Sequence, residues 1–259
     1  MKTSLFEGSQ MSPSLFTLKE QYLQSHNKRG RSYSLCYLSK KQQKTLTCNN
    51  KHLSYGMTYT LQHGIPEVAP YNGPIKFSPC RFDQRGKTEA RNTAIHFFMH
   101  DYLFYTAVST KLELTTYKLS KFDYLFAPDC SLYVDASKQE NLHAIYISRF
   151  AAAYWQKCGF NVIPVASWGD ANSLSYCFEG LPSNSVIAVC GIGHEHCSAA
   201  KKLWLYAVNK LIDNLSPTTL IVFGGNEEDT RDLPANIVYY PDYIHKKFRA
   251  NGKKKQTVA

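Results

Sequence analysis

The sequence predicts an α/β protein in which parallel strands alternate with helices. From about residue 121, short apolar runs of β-type residues alternate with amphipathic segments. Strands joined by helical crossovers of about a dozen residues run parallel, because a right-handed crossover returns the chain to the same sheet edge. The composition, 44% hydrophobic and 19% charged, fits a packed core and excludes a disordered polymer. Two architectures fit this order, an open three-layer sheet, which we favour, and a partial β/α barrel.

The individual elements follow from local patterns. Apolar runs predict strands at 124–127, 161–166, 186–190, 219–223 and 236–239. Helical periodicity predicts helices over about 140–158 and 198–214, with a short element near 174–178. Closely spaced Gly and Pro between 55 and 90 predict turns and short extended pieces. Within 90–109, helical spacing of apolar residues predicts one helix, and its members are Ile95, Phe98, Tyr102 and Tyr105.

Charge divides the chain into three parts. The formal net charge is +10, but residues 1–90 hold 13 basic and 5 acidic residues, whereas 121–245 hold 8 basic and 13 acidic. The last 14 residues add 6 positive charges. We therefore expect a basic, loosely structured arm over 1–54, a single α/β domain over 55–245 and a basic tail over 246–259.

Cysteine usage and hydropathy indicate the cellular compartment in which the protein works. Eight cysteines are spread along the chain, no secretory signal precedes them, and no run of about 18 apolar residues occurs. Scattered thiols of this kind are typical of a reducing cytosol, where they act as small buried hydrophobes. We expect a cytoplasmic protein without a membrane segment.

Several short blocks occur in a fixed order. They are Phe-Asp-Tyr-Leu at 122–125, Ala-Pro-Asp-Cys-Ser-Leu-Tyr at 127–133, Tyr-Trp-Gln-Lys at 154–157, Val-Ile-Pro at 162–164, Trp-Gly-Asp at 168–170 and Cys-Phe-Glu-Gly-Leu-Pro at 177–182. This ordered set, spanning roughly 55–240 and densest over 122–225, resembles the uncharacterised bacterial and phage family called domain of unknown function 4417. Cys130 stands where that family usually has an aromatic residue. The resemblance implies a phage or mobile-element setting and a soluble α/β domain, with no activity, substrate or cofactor to carry over.

Polar residues cluster where predicted strands end. Ligands bind outside the carboxyl ends of parallel strands, because the loops converge there. The carboxylates Asp129, Asp170 and Glu195 are candidate catalytic residues or divalent-metal ligands, with turn capping as the alternative. Candidate ligand-binding residues are Ser131, Trp168, Gly191, Gly193, His194 and Asn226 at this edge, and Arg149 in the helix predicted over about 140–158, a further position of the family resemblance.

The loop Gly191-Ile192-Gly193-His194 has the context of an anion-binding turn, since it follows a strand and opens a helix. The third glycine of a dinucleotide fingerprint is missing and no Gly-Lys-Ser/Thr follows, so neither a nicotinamide cofactor nor a P-loop nucleotide is supported. Adjacent His and Cys residues rarely reach one tetrahedral ion together. No metal-ligating residue is assigned, the cofactor stays unknown, and a divalent metal stays open.

The basic ends of the chain predict binding to nucleic acid. Lys and Arg interleaved with Tyr suit phosphate contacts combined with stacking. The candidate contacts to DNA or RNA are Lys28, Arg29, Arg31, Lys40, Lys41, Lys253, Lys254 and Lys255. We therefore expect a phage-associated accessory protein that contacts nucleic acid. Two alternatives stay open, a small-molecule or glycan hydrolase that uses Asp129 and Asp170, with Trp168 as a stacking platform, and a protein-binding module without chemistry.

Overall fold

Parallel strands follow one another in chain order through the described part of the molecule. The structure is a computed structural model, and it describes residues 50–194 and 197–242. The strands are β1 (Ser78–Arg81), β2 (Thr93–His96), β3 (Tyr124–Phe126), β4 (Asn161–Ile163), β5 (Val165–Ala166), β6 (Val186–Cys190), β7 (Thr219–Phe223) and β8 (Ile237–Tyr240). The α-helices are α1 (Tyr105–Ser109), α2 (Leu112–Leu119), α3 (Lys138–Lys157) and α4 (Ser198–Leu215). Short 3-10 helices lie at Lys51–Leu53, Phe82–Gln84, Asp101–Leu103, Asn172–Ser175 and Glu227–Thr230.

The predicted α/β class is confirmed, and most elements lie where the sequence places them. Strands β6 and β7 match the predicted ranges, and α3 and α4 match the two predicted helices to within two residues. Helix α3 begins at a capping box in which the Ser137 hydroxyl accepts from the Glu140 N–H and the Glu140 side chain accepts from the Ser137 N–H. The reciprocal bonds explain why the chain turns helical there.

The helix predicted within 90–109 is wrong over most of its length. Residues Thr93–His96 form β2, and only Tyr105–Ser109 is α-helical. All four residues of β2 are buried, because the strand lies between β1 and β3 and is covered on both faces. The helical spacing of Ile95 and Tyr102 is coincidental, since Ile95 is buried and Tyr102 is exposed.

Two four-stranded parallel sheets, β1-β2-β3-β4 and β5-β6-β7-β8, meet at Pro164. Proline has no N–H to donate to a sheet ladder, so the predicted strand 161–166 divides into β4 and β5. The Pro164 carbonyl still accepts from Ala188 N (2.8 Å), which joins the two sheets into one succession of strands.

This succession curves into a partial β/α barrel. Four strand spacings of about 4.8 Å would put β2 and β7 roughly 19 Å apart in a flat sheet. Instead, the rings of His96 and Phe223 on these strands have centroids 4.3 Å apart. At the open side, the Tyr240 hydroxyl of β8 donates to the Phe77 carbonyl beside β1 (3.2 Å). The open sheet that we favoured from the sequence is therefore replaced by the barrel alternative.

Alternation along the strands builds two hydrophobic cores. In β6 and β7, Ala188 and Phe223 belong to the first core, together with Phe77 and Phe126. Their strand neighbours point the opposite way and pack against α4 in the second core, which contains Ile187, Val189, Leu220, Val222, Trp204, Val208 and Leu211. Because aromatic side chains fill the interior of the barrel, its polar loops lie at the barrel ends. No helix within the described residues is long and apolar enough to cross a membrane.

Candidate active site

Three loops meet at the carboxyl end of the barrel, after β2, β3 and β5. They bring together two carboxyl groups and two hydroxyls, which we call the acidic centre: Asp101, Asp129, Ser131 and Ser167. This end of a parallel barrel is where active sites are built, because each strand delivers a loop to the same mouth. Two of the predicted residues, Asp129 and Ser131, lie in this centre.

Asp129 follows β3 and carries the most perturbed carboxyl group of the centre. The residue is half-buried, and its Oδ1 accepts from the Ser167 hydroxyl (2.6 Å). The pKa of this carboxyl is raised from 3.8 to about 6, chiefly by burial and also by the negative charge of Asp101, against the lowering effects of the Ser167 hydrogen bond and of Arg149. Asp129 therefore gains and loses its proton close to neutral pH.

Asp101 is the second carboxylate of the acidic centre, and its charge acts on Asp129. It opens the 3-10 helix that follows β2, and it accepts both the Ser131 N–H (3.0 Å) and the Ser131 hydroxyl (2.9 Å). These bonds join the loop after β2 to the loop after β3. The intervening Cys130 is buried, and its burial and the charges of Asp101 and Asp129 raise the pKa of its thiol, which stays neutral.

Arg149, a predicted ligand-binding residue, is instead fully engaged inside the protein. Its guanidinium donates to the carbonyls of Val165 (2.9 Å), Cys177 (3.1 Å) and Glu179 (3.3 Å). Burial lowers its pKa to about 10, so it stays charged at neutral pH. The neighbouring Ser148 hydroxyl donates to the Pro128 carbonyl (2.6 Å) directly before Asp129. Arg149 and Ser148 thus position the loops of the acidic centre.

The loop after β5 contains the predicted residues Trp168 and Asp170. Asp170 accepts from Ser173 N (2.9 Å) and from Asn172 Nδ2 (3.0 Å), which holds the 3-10 turn that follows. Trp168 is half-buried against the second core. A Cβ on the adjacent Gly169 would stand 3.0 Å from the Leu132 carbonyl oxygen, so this loop packs closely on the loop after β3.

The predicted residues after β6 and β7 form a separate cluster. His194 Nε2 lies 3.1 Å from Asp229 Oδ2, and Lys201 Nζ lies 2.5 Å from the other oxygen of the same carboxylate. The His194 ring stacks on Trp204 (4.4 Å between centroids). Gly191 and Gly193 form the loop before His194, and the Asn226 side chain caps a 3-10 turn by accepting from Glu228 N (3.2 Å).

Some predicted residues lie outside the described ranges. These are Glu195 and the candidate nucleic-acid contacts Lys28, Arg29, Arg31, Lys40, Lys41, Lys253, Lys254 and Lys255. In residues 50–194 and 197–242, no group of three or more His, Cys, Asp or Glu side chains is placed to hold a metal ion.

Sequence reasoning missed Asp101 and Asp242. Asp101 follows β2, which the sequence placed inside a helix, so its position at the strand edge was hidden. Asp242 follows β8, and its charge acts on the Cys190 thiol at the end of β6, as does that of Asp129. The signal that could have found Asp101 is the buried run Thr93–His96 read as a strand.

Two clefts lie away from the acidic centre. One, of about 700 Å³, runs beside β8 and includes Asn226 and Tyr239. Another, of about 770 Å³, lies between Thr60, Gln156 and Glu179. We favour the acidic centre because carboxyl groups whose pKa is shifted by burial concentrate at functional sites, and cleft volume alone does not indicate chemistry.

Fold and site together define a parallel β/α protein of the barrel type with an acidic centre at the carboxyl ends of its strands. The chain belongs to the family described as a domain of unknown function, DUF4417, whose model matches residues 57–241. The resemblance found in the sequence is thereby confirmed.

Two curated relatives are phage proteins. The chain is 34% identical to the "Gene 1 protein" of Mycobacterium phage L5 over 182 residues, which cover 69% of this chain and 79% of that protein. It is 30% identical to the "Gene 1 protein" of Mycobacterium phage D29 over 151 residues, 58% of this chain and 55% of that protein. The chain thus spans little more than half of the D29 protein. No solved structure matches the chain.

Proposed function

We propose that the protein is a hydrolase that cleaves the glycosidic bond of an uncharged sugar, with Asp129 as the general acid. The observation that carries this proposal is the buried Asp129 carboxyl at the barrel mouth, whose pKa burial raises to about 6. An acid catalyst works best when its pKa lies near the operating pH. The residue as a whole keeps partial exposure to solvent at the barrel mouth.

The partner of Asp129 in this proposal is Asp101, because its charge acts directly on Asp129. Two carboxyl groups in unlike environments divide into an acid and a base. Asp129 donates its proton to the glycosidic oxygen as the bond from that oxygen to the anomeric carbon breaks. Water adds to the anomeric carbon, and Asp101 accepts the proton that the water releases. The products are two sugars, one of which carries a new reducing end.

Electrostatics at the mouth favours this chemistry over phosphoryl transfer. The bond-breaking transition state of a glycoside carries positive charge. Asp101 and Asp242 place negative charge at this end of the barrel, which stabilises a developing cation and repels a phosphate.

The test is turnover by an Asp129→Asn variant against neutral oligosaccharides, measured as reducing ends released. Loss of a general acid lowers kcat by roughly 10²- to 10⁴-fold. Asp213→Asn, which removes an exposed carboxylate from α4, is the matched control and should keep full turnover. Equal rates for Asp129→Asn and the wild type would exclude Asp129 as the acid.

The cysteines support a reducing, cytoplasmic setting for this activity. Six cysteines of the described residues are free, and Cys80, Cys130, Cys158 and Cys177 among them are buried. Buried thiols act as small apolar side chains and need no oxidising compartment. Contact with DNA or RNA through the basic ends stays a prediction.

A further inference from the structure

Two exposed tyrosines flank the acidic centre. Tyr102 directly follows Asp101 and is 80% exposed, and Tyr133 lies two residues beyond Ser131 and is 56% exposed. Because Ser131 is hydrogen-bonded to Asp101 through both its N–H and its hydroxyl, the two tyrosines lie on loops joined at the acidic centre. Both rings are therefore exposed on residues that lie one or two positions from the hydrogen-bonded pair Asp101 and Ser131.

The backbone that carries Tyr133 is held firmly. Asn141 is a buried residue of α3, and its side chain accepts from Tyr133 N (2.9 Å) and donates to Tyr133 O (2.9 Å). Both main-chain polar groups of Tyr133 are thereby satisfied while its ring stays exposed. Tyr102 in turn stacks on His100, with 5.8 Å between ring centroids. Exposed rings on a fixed backbone bind ligands at a low entropy cost.

Trp168 is a third aromatic residue close in sequence to the acidic centre, and it lies on a third loop. It follows Ser167, the hydroxyl that donates to Asp129, and the adjacent Gly169 packs on Leu132 next to Tyr133. We call Tyr102, Tyr133 and Trp168 the aromatic rim. Aromatic side chains with an apolar face and a polar edge suit partners that are flat on one side and rich in hydroxyls, as sugar rings are.

We propose that the aromatic rim binds the sugar units of an uncharged oligosaccharide on the two sides of the acidic centre. This inference rests on the proposed function and names its substrate class. Three aromatic residues on three loops provide contacts for more than one ring, so the ligand is a chain and not a single sugar. The negative charge at the mouth disfavours a phosphate-bearing ligand such as single-stranded DNA, although its bases could also stack.

The test measures binding separately from turnover. Asp129→Asn protein is titrated by calorimetry with chitohexaose, maltohexaose, cellohexaose and xylohexaose, and with a single-stranded DNA hexamer. Tyr102→Ala and Tyr133→Ala, each in the Asp129→Asn background, should weaken binding of at least one of the sugars about tenfold, equivalent to about 1.4 kcal/mol. Tyr55→Ala and Tyr206→Ala remove rings that are 85% and 51% exposed elsewhere, and they serve as matched controls without effect.

Three results would overturn the inference: unchanged sugar affinity in both rim variants, no binding of any of the four sugars, or rim-dependent binding of the DNA hexamer alone. The outcome is distinguishable from failure of the proposed function. If sugars bind through the rim but the wild type releases no reducing ends, the rim proposal stands and the hydrolase proposal fails. If Asp129→Asn abolishes turnover while the rim variants bind normally, the hydrolase proposal stands and the rim proposal fails.

Discussion

At the level of single residues, Asp129 couples the proposed chemistry to stability. Its carboxyl loses hydration on folding, which makes ionisation costly in the folded state and raises its pKa to about 6. A raised carboxyl pKa destabilises the folded protein at neutral pH, because the unfolded chain ionises more easily. A side chain selected only for stability would not be an ionisable acid at this position.

We therefore expect the stability of the wild type, relative to Asp129→Asn, to fall between about pH 4 and pH 6. Below this window the Asp129 carboxyl is protonated in both states. Within it, the folded protein keeps a proton that the unfolded chain has released, so stability decreases as pH rises. A shift from 3.8 to about 6 corresponds to a difference on the order of 3 kcal/mol above pH 6.

Urea unfolding of both proteins at pH 4, 5, 6 and 7 measures this difference. Asn is neutral throughout and can still accept from Ser167, so Asp129→Asn should be the more stable protein at pH 7. The exposed Asp213→Asn variant should follow the wild type. A pH-independent gap between wild type and Asp129→Asn would contradict the raised pKa.

At the level of elements, Arg149 connects α3 to β5 and to the segment before β6. Its guanidinium donates hydrogen bonds to the carbonyls of Val165 and Cys177, which are buried, and to that of Glu179, which is partly buried. Arg149 also acts on Asp129 through its positive charge, which lowers the pKa of that carboxyl. The acidic centre therefore depends on a helix residue that touches no solvent.

Replacing Arg149 by Met should lower the free energy of unfolding by about 3–5 kcal/mol, because the carbonyls lose their buried donors. Arg149→Lys should not restore stability, since one ammonium cannot reproduce the planar, divergent donors. Denaturant unfolding gives the values. Arg231→Met, which removes an exposed pair with Glu228, is the control and should change stability by less than about 1 kcal/mol. Wild-type stability of Arg149→Met would refute this role.

The elements also show where sequence patterns succeed. Strands β6 and β7 were predicted at their exact bounds, because each is a continuous apolar run covered on both faces. Strand β2 was missed, since four buried residues have no alternation and fit a helical pattern equally well. Because β2 is not recognised in the sequence, the position of Asp101 after a strand end is not recognised either. Asp129 is predicted because the strand before it is recognised. The predicted role of Asp170 stays untested, although its carboxylate already holds a turn.

At the level of the whole molecule, the charge is divided between the body and its ends. The net +10 belongs to the front of the chain and to the tail, whereas 121–245 is net acidic. An acidic barrel mouth repels phosphates, so any contact with DNA or RNA falls to the basic ends. The binding of nucleic acid and the proposed chemistry at the mouth are therefore separable.

Removal of residues 1–49 and 246–259 should abolish salt-sensitive binding to DNA while leaving the fold intact. The cut spares Asn50, whose side chain donates to the Ser109 carbonyl (2.6 Å). Gel shifts at rising salt and circular dichroism measure the two properties, and the full chain should show the steeper salt dependence. Undiminished DNA binding by the shortened chain would locate the contact in the body instead.

The sequence by itself determined the alternation of strands and helices, the bounds of most elements, the family and the position of Asp129 at a strand end. These depend on hydrophobic periodicity and on motifs that are local along the chain. Only the tertiary structure decided that the strands curve into a barrel, that the loops carrying Asp101 and Asp129 are joined through Ser131 and that Arg149 is buried. Curvature, desolvation and charge pairing arise from contacts between residues far apart in sequence, such as His96 with Phe223, and no local pattern encodes them.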